Sequence, residues 1–585
     1  MRGPRVTGNP AAAGSPVPAG DPAAGNPLPA ADPEAGNPAA AAGNGTRAVV
    51  TPRGQPAAGG GLPAGERGPS PARGAPWLTG RCLRLAERCL RLAGHCLRLA
   101  GHCLRLAGRG RRLAREHWLL AVLLAAGLVL RAAAQIAYRP ALIYIDSLRY
   151  LYHAHGADPV GYRVLLRPLL LVGNLDLVAA FQHVVGLAMA VLLYAVLLRR
   201  GVPRWLAALA TAPVLLDSYQ LQIEQTIMPD VMFEACIAAG LAALLWHPRP
   251  RTALIITGGL FLGASATARQ VGEIFLLPAL AYLLVALPHW RRRLAQGAIL
   301  CAAFALPILA ASFRNSVVIH NFGLAPYAGG SIYGRMAAAA DCATLKLPAY
   351  ERALCPTVQQ QRNGPDWLDH QLGSPIKSFQ APAALSNGKV VSDFTHRVLR
   401  QQPGRVLAAV GKDALKLYAV DRVTAPGDTS VSRWQFQSSY PQYPPYMTIS
   451  GGQVLFKSFS PVGAVRWTWS AQGFGGGSPA VTGPLASFLR GYQLGGGYTP
   501  GPLLALATLA GLAGTLSLAR RHATPAQRHA AQACLLMFTS AAAVLLISDA
   551  FEFSWRYQLP ALITLPPAAA LALTALFTHR RPADN

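Results

Sequence analysis

Residues 117–137 read HWLLAVLLAAGLVLRAAAQIA, an apolar run in which Arg131 is the one formal charge. About 20 apolar residues in a helix span the hydrocarbon core of a bilayer, so this stretch predicts a transmembrane helix. The whole chain of 585 residues is 52% hydrophobic and 13% charged, and the charged fraction is about half that of an average soluble domain. The composition therefore indicates a multi-pass membrane protein.

Further apolar runs predict an all-α polytopic fold with about ten transmembrane helices. The run 203–217 is short and contains Pro213, but the predicted topology requires it as a membrane crossing. The loops 199–204 and 247–251 are both basic and free of acids, so both are expected in the cytoplasm, with an even number of crossings between them. The predicted spans are 117–137, 177–198, 203–217, 227–246, 252–268, 272–289, 294–312, 501–519, 530–548 and 557–578.

The basic residues cluster at helix ends on one side of these spans. This distribution predicts a protein of the cell membrane with both termini in the cytoplasm, and it argues against nucleic acid as the partner of a chain with net charge +28. The opposite side receives the acids, which predicts an acidic site there. These acids are Asp146, Asp158, Asp176, Asp217, Glu224, Asp230, Glu273, Asp549 and Glu552.

The composition divides the chain into segments. Residues 1–80 are rich in Ala, Gly and Pro and predict a disordered tail. The other predicted segments are a basic cytoplasmic heptad-repeat segment 81–116, a core 117–312 of seven helices with an outer loop 138–176, an extracytoplasmic domain 313–500, three C-terminal helices 501–578 and a cytoplasmic tail 579–585.

The heptad repeat RCLRLAERCLRLAGHCLRLAGHCLRLAG covers residues 81–108. Its apolar residues are bunched rather than separated as a coiled coil requires. A basic amphipathic segment on the inner leaflet, a repeat expansion without function and a metal-binding thiol array are the alternatives.

The outer loop contains YIDSLRYLYHAH, residues 144–155. Asp146, Arg149, Tyr150 and His153 share one face of a helix because they are spaced at i, i+3, i+4 and i+7. Asp146 is either a helix N-cap or a catalytic carboxylate, since an acid beside hydrocarbon is costly to retain. His153 and His155 are expected to be polar residues at the membrane interface rather than metal ligands.

Arginines and acids recur in the other predicted outer turns. Arg163 and Arg167 are four residues apart in GYRVLLRPLL, 161–170, and would present two guanidinium groups to a phosphate or to lipid headgroups. The remaining turns are EQTIMPD (224–230), with Glu224 and Asp230 as supporting acids, ATARQVG (266–272), with Arg269, and WRYQLP (555–560), with Arg556.

The order and sidedness of these motifs resemble the GT-C membrane glycosyltransferases, in particular bacterial relatives of dolichyl-phosphate-mannose–protein mannosyltransferases. The resemblance covers roughly 115–320 and 500–578. It implies that Asp146 is catalytic and that Arg163, Arg269 and Arg556 hold the phosphate of a polyprenyl-phosphate sugar. Many members have two adjacent acids in the first outer loop, where this chain has Ile145-Asp146-Ser147. No metal site or cofactor is therefore assigned, and a divalent metal stays an alternative.

The expected function is transfer of a hexosyl or pentosyl group from a polyprenyl-phosphate donor in the lipid bilayer to an extracytoplasmic envelope acceptor, a glycan, lipid or protein. A single displacement would invert the anomeric centre. The alternative is a transporter or flippase for a lipid-linked precursor, which should show internal repeats and polar residues at mid-membrane depth. The charges here crowd at one face, which favours surface chemistry.

Cys342 and Cys355 lie in the hydrophilic segment on the predicted outer side of the membrane. Disulfides persist in such oxidising compartments, so these two cysteines predict a disulfide.

Overall fold

The computed structural model describes residues 115–151, 160–324, 332–441, 447–450, 453–459, 465–472, 474, 477 and 479–577. The N-terminal tail, nearly all of the heptad-repeat segment, His153, His155 and the C-terminal tail lie outside these residues, and the expectations for them stay predictions.

The all-α prediction is confirmed, because helices dominate the described residues. In chain order they are α1 Trp118–Ala137, α2 Ile145–Leu151, α3 Gly161–Val172, α4 Leu175–Arg199, α5 Arg204–Leu216, α6 Ser218–Gln225, α7 Asp230–Leu245, α8 Thr252–Ala268, α9 Leu276–Ala286, α10 Trp290–Ile319, α11 Tyr333–Ala339, α12 Val358–Arg362, α13 Gly364–His370, α14 Pro375–Ser378, α15 Asn387–Gln401, α16 Pro403–Lys416, α17 Gly483–Leu494, α18 Gly501–Leu516, α19 Pro525–Phe551 and α20 Pro560–Phe577.

Each predicted apolar run falls on a helix. Six helical stretches have the length and composition to cross a membrane: Trp118–Ala137, Leu175–Arg199, Trp290–Ile319, Gly501–Ala519, Pro525–Phe551 and Trp555–Phe577. Arg204–Leu216, Thr252–Ala268 and Gln270–Ala286 are apolar but shorter. The membrane-protein class is therefore supported, and the count of ten crossings stays a prediction.

Glycines set the close packing of the central helices. A Cβ at Gly240 of α7 or at Gly258 of α8 would lie 3.2 Å from the backbone oxygen of the other residue. Gly259 and Gly263, one turn apart on α8, lie against the backbone of α10. Small residues let helix backbones approach closely where lipid supplies no hydrophobic driving force.

Several helices begin at side-chain caps. Asn174 accepts hydrogen bonds from the backbone N–H groups of Asp176 and Leu177 and starts α4. Asp217 ends α5 and caps α6 through the N–H of Tyr219. Thr524 and Gln527 form a reciprocal capping box that starts α19. These caps satisfy N–H groups that have no partner inside the helix.

The segment between α10 and α18 has its own hydrophobic core, which includes Tyr333, Leu354, Leu368 and Phe394. The disulfide Cys342–Cys355 joins two turns of this segment, with its Cα atoms 6.1 Å apart. The predicted boundary at residue 313 lies inside α10, which continues to Ile319. A 30-residue helix is about 45 Å long and exceeds a hydrocarbon core of about 30 Å, so its end projects beyond the bilayer.

The strands among the described residues form two small antiparallel sheets. Strand β1, Tyr138–Arg139, directly follows α1 and pairs with β5, Ala480–Val481. The second sheet joins β2 Met447–Ser450, β3 Gln453–Phe459 and β4 Val465–Gln472 in sequence order. The first pairing fixes the end of α1 to the chain that precedes α17.

Candidate functional site

Arg556 joins two carboxylates from distant parts of the chain. Its Nη1 donates to Oδ2 of Asp146 at 3.2 Å, and its Nε lies 3.5 Å from Oδ1 of Asp230. The Nη1 of Arg269 also donates to Oδ1 of Asp230. We call Asp146, Asp230, Arg269 and Arg556 the acid–arginine cluster. The structure thus brings together four of the predicted site residues.

Each member of the cluster lies at the end of a helix. Asp146 is in the first turn of α2, and Asp230 is in the first turn of α7 after Pro229. Arg269 is the C-cap of α8, and Arg556 lies in the 3-10 turn Trp555–Gln558 before α20. The helix bundle therefore presents all four side chains at one end.

The acids of the cluster differ in their access to water. The side chain of Asp146 is 26% exposed, that of Asp230 is 3% exposed, and that of Arg556 is 8% exposed. A proton can therefore reach solvent from Asp146 more readily than from Asp230. This difference suits Asp146 to exchange protons and Asp230 to hold the arginines in place.

Aromatic rings hold both arginines of the cluster. The guanidinium carbon of Arg556 is 4.9 Å from the ring centre of Trp434 and 4.8 Å from that of Tyr557. That of Arg269 is 4.4 Å from the Tyr557 ring. The Nη2 of Arg556 donates to the Tyr557 hydroxyl at 3.2 Å. Cation–π contacts at these distances fix the planes of the guanidinium groups.

One donor atom and one acceptor atom of the cluster have no hydrogen-bond partner among the described residues. They are Nε of Arg556 and Oδ2 of Asp230, and both are buried. An unsatisfied buried polar atom costs free energy, and such atoms in native sites commonly await a ligand or water.

Arg163 and Arg167 lie on α3, beside α2. The Nη2 of Arg163 donates to the backbone oxygen of Arg149 at 2.5 Å, which ties α3 to the helix that carries Asp146. The side chain of Arg167 is exposed one turn further along α3. The structure therefore places Arg163 next to α2 and Arg167 on the exposed face of α3.

Glu224 lies in a separate buried network. Its Oε1 accepts from Arg131 at 2.8 Å, and its Oε2 is 3.0 Å from Nδ1 of His183. Arg131 also donates to the backbone oxygens of Leu215 and Val214 at 2.9 and 3.0 Å. The structure thus does not group Glu224 with Asp230, the other predicted supporting acid. Its contacts connect α1, α4 and α6.

The segment 332–441 supplies residues that the sequence did not single out. Asp366 pairs with Nδ1 of His370 at 3.2 Å and with Arg433 at 3.5 Å. Arg433 also donates to the Tyr144 hydroxyl at 3.3 Å, two residues before Asp146. Trp434 begins a stretch of the sequence that is rich in aromatic residues, 434–446, whereas Asp366 and His370 follow no pattern that sequence could reveal.

The electrostatic field of the site acts on Asp146. Burial alone would raise the pKa of this carboxyl, but the charges of Arg556 and then Arg149 outweigh burial, and the pKa is lowered. His370 adds to the same effect. Burial also opposes the positive charge of His370, yet Asp366 raises the pKa of His370 to about 9. Asp146 is therefore ionised in the free protein at neutral pH.

No group of three or more His, Cys, Asp or Glu side chains among the described residues could hold a metal ion. The acid–arginine cluster supplies two carboxylates and two guanidinium groups. Guanidinium groups pair with anions, and carboxylates can exchange protons.

Residues 173–320 match the family model for dolichyl-phosphate-mannose-protein mannosyltransferases. The match covers α4 to α10 and includes Asp230 and Arg269. No curated protein matches the chain.

Solved structures that are similar to the chain include a yeast and an archaeal transferase. The S. cerevisiae protein O-mannosyltransferase Pmt1–Pmt2 complex bound to the sugar donor is 14% identical over 38% of this chain and 36% of the other, with a TM-score of 0.28. The archaeal oligosaccharyltransferase AglB from Archaeoglobus fulgidus, in complex with an inhibitory peptide and a dolichol-phosphate, is 13% identical over 79% of this chain and 50% of the other, with a TM-score of 0.35. This chain covers half or less of the length of each of these two proteins. The resemblance predicted from the motifs is confirmed by the family model, and residues 173–320 carry the similarity to the dolichyl-phosphate-mannose-protein mannosyltransferases.

Proposed function

We propose that this protein is a membrane glycosyltransferase that moves a sugar from a polyprenyl-phosphate donor to an extracytoplasmic acceptor. The observation that carries the proposal is the acid–arginine cluster, in which Arg556 contacts a half-buried and a fully buried carboxylate. Two of its members lie within the family match, and the other two come from segments on either side of it.

Arg269 and Arg556 are the proposed ligands of the donor phosphate. Guanidinium groups pair with phosphate through charge-assisted hydrogen bonds, and the Nε of Arg556 has no hydrogen-bond partner among the described residues. Asp230 holds both arginines and is the proposed positioning residue. Arg163 and Arg167 are proposed as further contacts to the phosphate from α3. The polyprenyl tail would stay in the bilayer.

Asp146 is the proposed general base. It takes the proton of the acceptor hydroxyl while the acceptor oxygen forms a bond to the anomeric carbon. The bond from that carbon to the phosphate oxygen breaks, and the polyprenyl phosphate leaves with the electron pair. Arg269 and Arg556 stabilise the negative charge that grows on the phosphate. One displacement inverts the anomeric centre.

The proposed donor sugar is a hexose, in keeping with the mannose in the family description. Pentosyl transfer is the alternative. The acceptor is proposed to be a cell-envelope glycan, lipid or protein, and Glu224 is proposed to support the site only through the packing of α6.

The test is a transfer assay with the purified full chain in lipid nanodiscs and a radiolabelled synthetic polyprenyl-phosphate mannose. Envelope extract serves as the acceptor, and GDP-mannose is the matched donor without a lipid tail. We expect label to reach the acceptor from the lipid donor alone. Transfer from GDP-mannose, or movement of intact lipid donor across the bilayer without transfer, would contradict the proposal.

A further inference from the structure

Helix α16 has a face on which no described part of the chain packs. Leu407 and Leu415 are 69% and 68% exposed. A Cβ added at Gly404 or Gly411 would meet no described atom within 4 Å. Ala408 is exposed as well. We call Gly404, Leu407, Ala408, Gly411 and Leu415 the open stripe.

The open stripe is apolar and has a basic border. At 3.6 residues per turn its members share one side of the helix, whereas Val406 and Val410 point to the other side. Those two valines are buried in the core of segment 332–416. The same geometry places Arg405 and Lys412 along one edge of the stripe. An apolar face bordered by basic residues is typical of a helix that lies in a membrane interface.

The C-terminal end of α16 contacts the membrane-spanning helices. Leu417 is part of the hydrophobic core that these helices form. The Tyr418 hydroxyl lies 3.1 Å from the Thr508 hydroxyl, two turns into α18, and Gly501 at the start of α18 packs on the backbone of Tyr418 and Ala419. Residue 418 is therefore at the end of a membrane span.

Helix α16 also packs against α19. The Lys416 ammonium lies 4.7 Å from the ring centre of Phe553, just past the end of α19. A helix of 27 residues is about 40 Å long and exceeds a hydrocarbon core of about 30 Å. A helix longer than the core can extend to the headgroups at the end beside which α16 lies.

Exposed apolar side chains continue from the open stripe onto α18. Val420 is exposed, as are Leu503, Leu506 and Leu509 along α18. Exposed leucines on a membrane span face lipid. Exposed apolar residues thus occur on α16, on the link that follows it and on the membrane span α18.

We propose that α16 lies in the membrane interface at the end of the bundle that carries the acid–arginine cluster, with the open stripe in contact with lipid. Lys412 extends toward the phosphates of the headgroups. Arg405, at the same edge, is held by the Ala339 backbone oxygen and by Asp341. The interface helix anchors the segment 332–441, and with it Asp366, His370 and Trp434, at a fixed height above the bilayer.

The test measures collision of nitroxide labels with oxygen, which concentrates in lipid, and with NiEDDA, which stays in water. Labels are attached at Leu407→Cys, Gly411→Cys and Leu415→Cys, one at a time, in the full chain in nanodiscs, with the cysteines other than Cys342 and Cys355 replaced by alanine. Gly388→Cys on α15 is the matched water-exposed control, since a Cβ there also meets no described atom within 4 Å. We expect oxygen to dominate at the three stripe positions and NiEDDA at 388. NiEDDA access at the stripe, or protection from both reagents by a second copy or another protein, would overturn the proposal.

A second measurement compares the thermal unfolding of variants at two apolar residues with equal exposure. Val358 on α12 is 69% exposed, the same as Leu407. A charge in a lipid interface is costly, whereas a charge in water is not. Leu407→Asp should therefore lower the midpoint of thermal unfolding in nanodiscs by several degrees more than Val358→Asp does. Equal midpoints for the two variants would contradict a lipid-facing stripe.

Discussion

Replacement of Arg556 by glutamine removes the charge that joins the two carboxylates of the site. Asp230 keeps its partner Arg269, and Asp146 is 26% exposed, so water can replace part of the lost contact. The loss of one charged hydrogen bond under these conditions is expected to lower the free energy of unfolding by about 1–3 kcal/mol. Transfer should suffer more, because the guanidinium is proposed to stabilise the charge that grows on the leaving phosphate. Loss of one such donor costs about 2.7–4 kcal/mol, or roughly 10²–10³ in kcat.

Arg422 offers a matched control. Its Nη2 lies 3.0 Å from Oδ2 of Asp217, and its guanidinium carbon is 4.3 Å from the ring centre of Tyr219. Both arginines thus combine a carboxylate with an aromatic face, but Arg422 has no place in the proposed chemistry. Asp217 is fully buried, so Arg422→Gln should lower the free energy of unfolding by about 3–5 kcal/mol, at least as much as Arg556→Gln. Its folded fraction should keep normal turnover.

The assay compares turnover per folded molecule at saturating donor with the midpoint of thermal unfolding for both variants. The expected pattern is a loss of stability in both and a loss of turnover in Arg556→Gln alone. Turnover of Arg556→Gln within threefold of the unmodified protein would refute the assigned role of Arg556. Equal loss of turnover in both variants would show that stability alone explains the effect.

Because Arg556 and Arg149 outweigh burial and lower the pKa of Asp146 in the free protein, kcat/KM should stay constant down to about pH 4. The phosphate of bound donor offsets these charges, so the acidic limb of kcat should lie at higher pH than that of kcat/KM. Coincident limbs would argue against Asp146 as the base. Gly186→Ala places a Cβ 2.6 Å from Cδ of Glu224 and 2.9 Å from Nη2 of Arg131, so it should lower the free energy of unfolding by about 1–3 kcal/mol. Gly411→Ala is the control, since no described atom lies within 4 Å of its Cβ, and it should be neutral or stabilising in the same thermal melt. Removal of the Cys342–Cys355 bond by Cys342→Ala with Cys355→Ala should lower stability by about 3 kcal/mol, and free thiols at both positions in non-reducing peptide mapping of the unmodified protein would contradict the bond.

Much of the fold could be predicted because membrane helices follow a local rule. Each apolar run of suitable length became a helix, since the bilayer forces backbone polar groups to pair within the segment. Helix ends were harder to predict. α10 runs seven residues beyond its predicted end at 312, because a helix that leaves the bilayer can continue where protein contacts support it.

The candidate site was only partly visible in the sequence. Asp146 and Arg556 are 410 residues apart, and only the order and sidedness of the motifs indicated that they share a site. Glu224 was grouped with Asp230 because both flank the same predicted turn. Its contact with Arg131 crosses 93 residues, and nothing local shows that α6 is buried. Asp366 and His370 come from a segment without periodic apolar runs, so their approach to Asp146 depends on tertiary packing alone.

The most direct test of the central claim is Asp146→Asn. The change keeps the size of the side chain and removes its ability to accept a proton, and loss of a general base costs on the order of 10²–10⁴ in rate. Donor binding should remain, because Arg269 and Arg556 are unchanged. The measurement is single-turnover transfer from synthetic polyprenyl-phosphate mannose, with donor affinity and thermal stability determined on the same preparation. We predict at least a hundredfold slower transfer with donor affinity and stability near those of the unmodified protein. Near-normal transfer by Asp146→Asn would contradict the account and would move the role of base to another acid, with Asp230 the next to test.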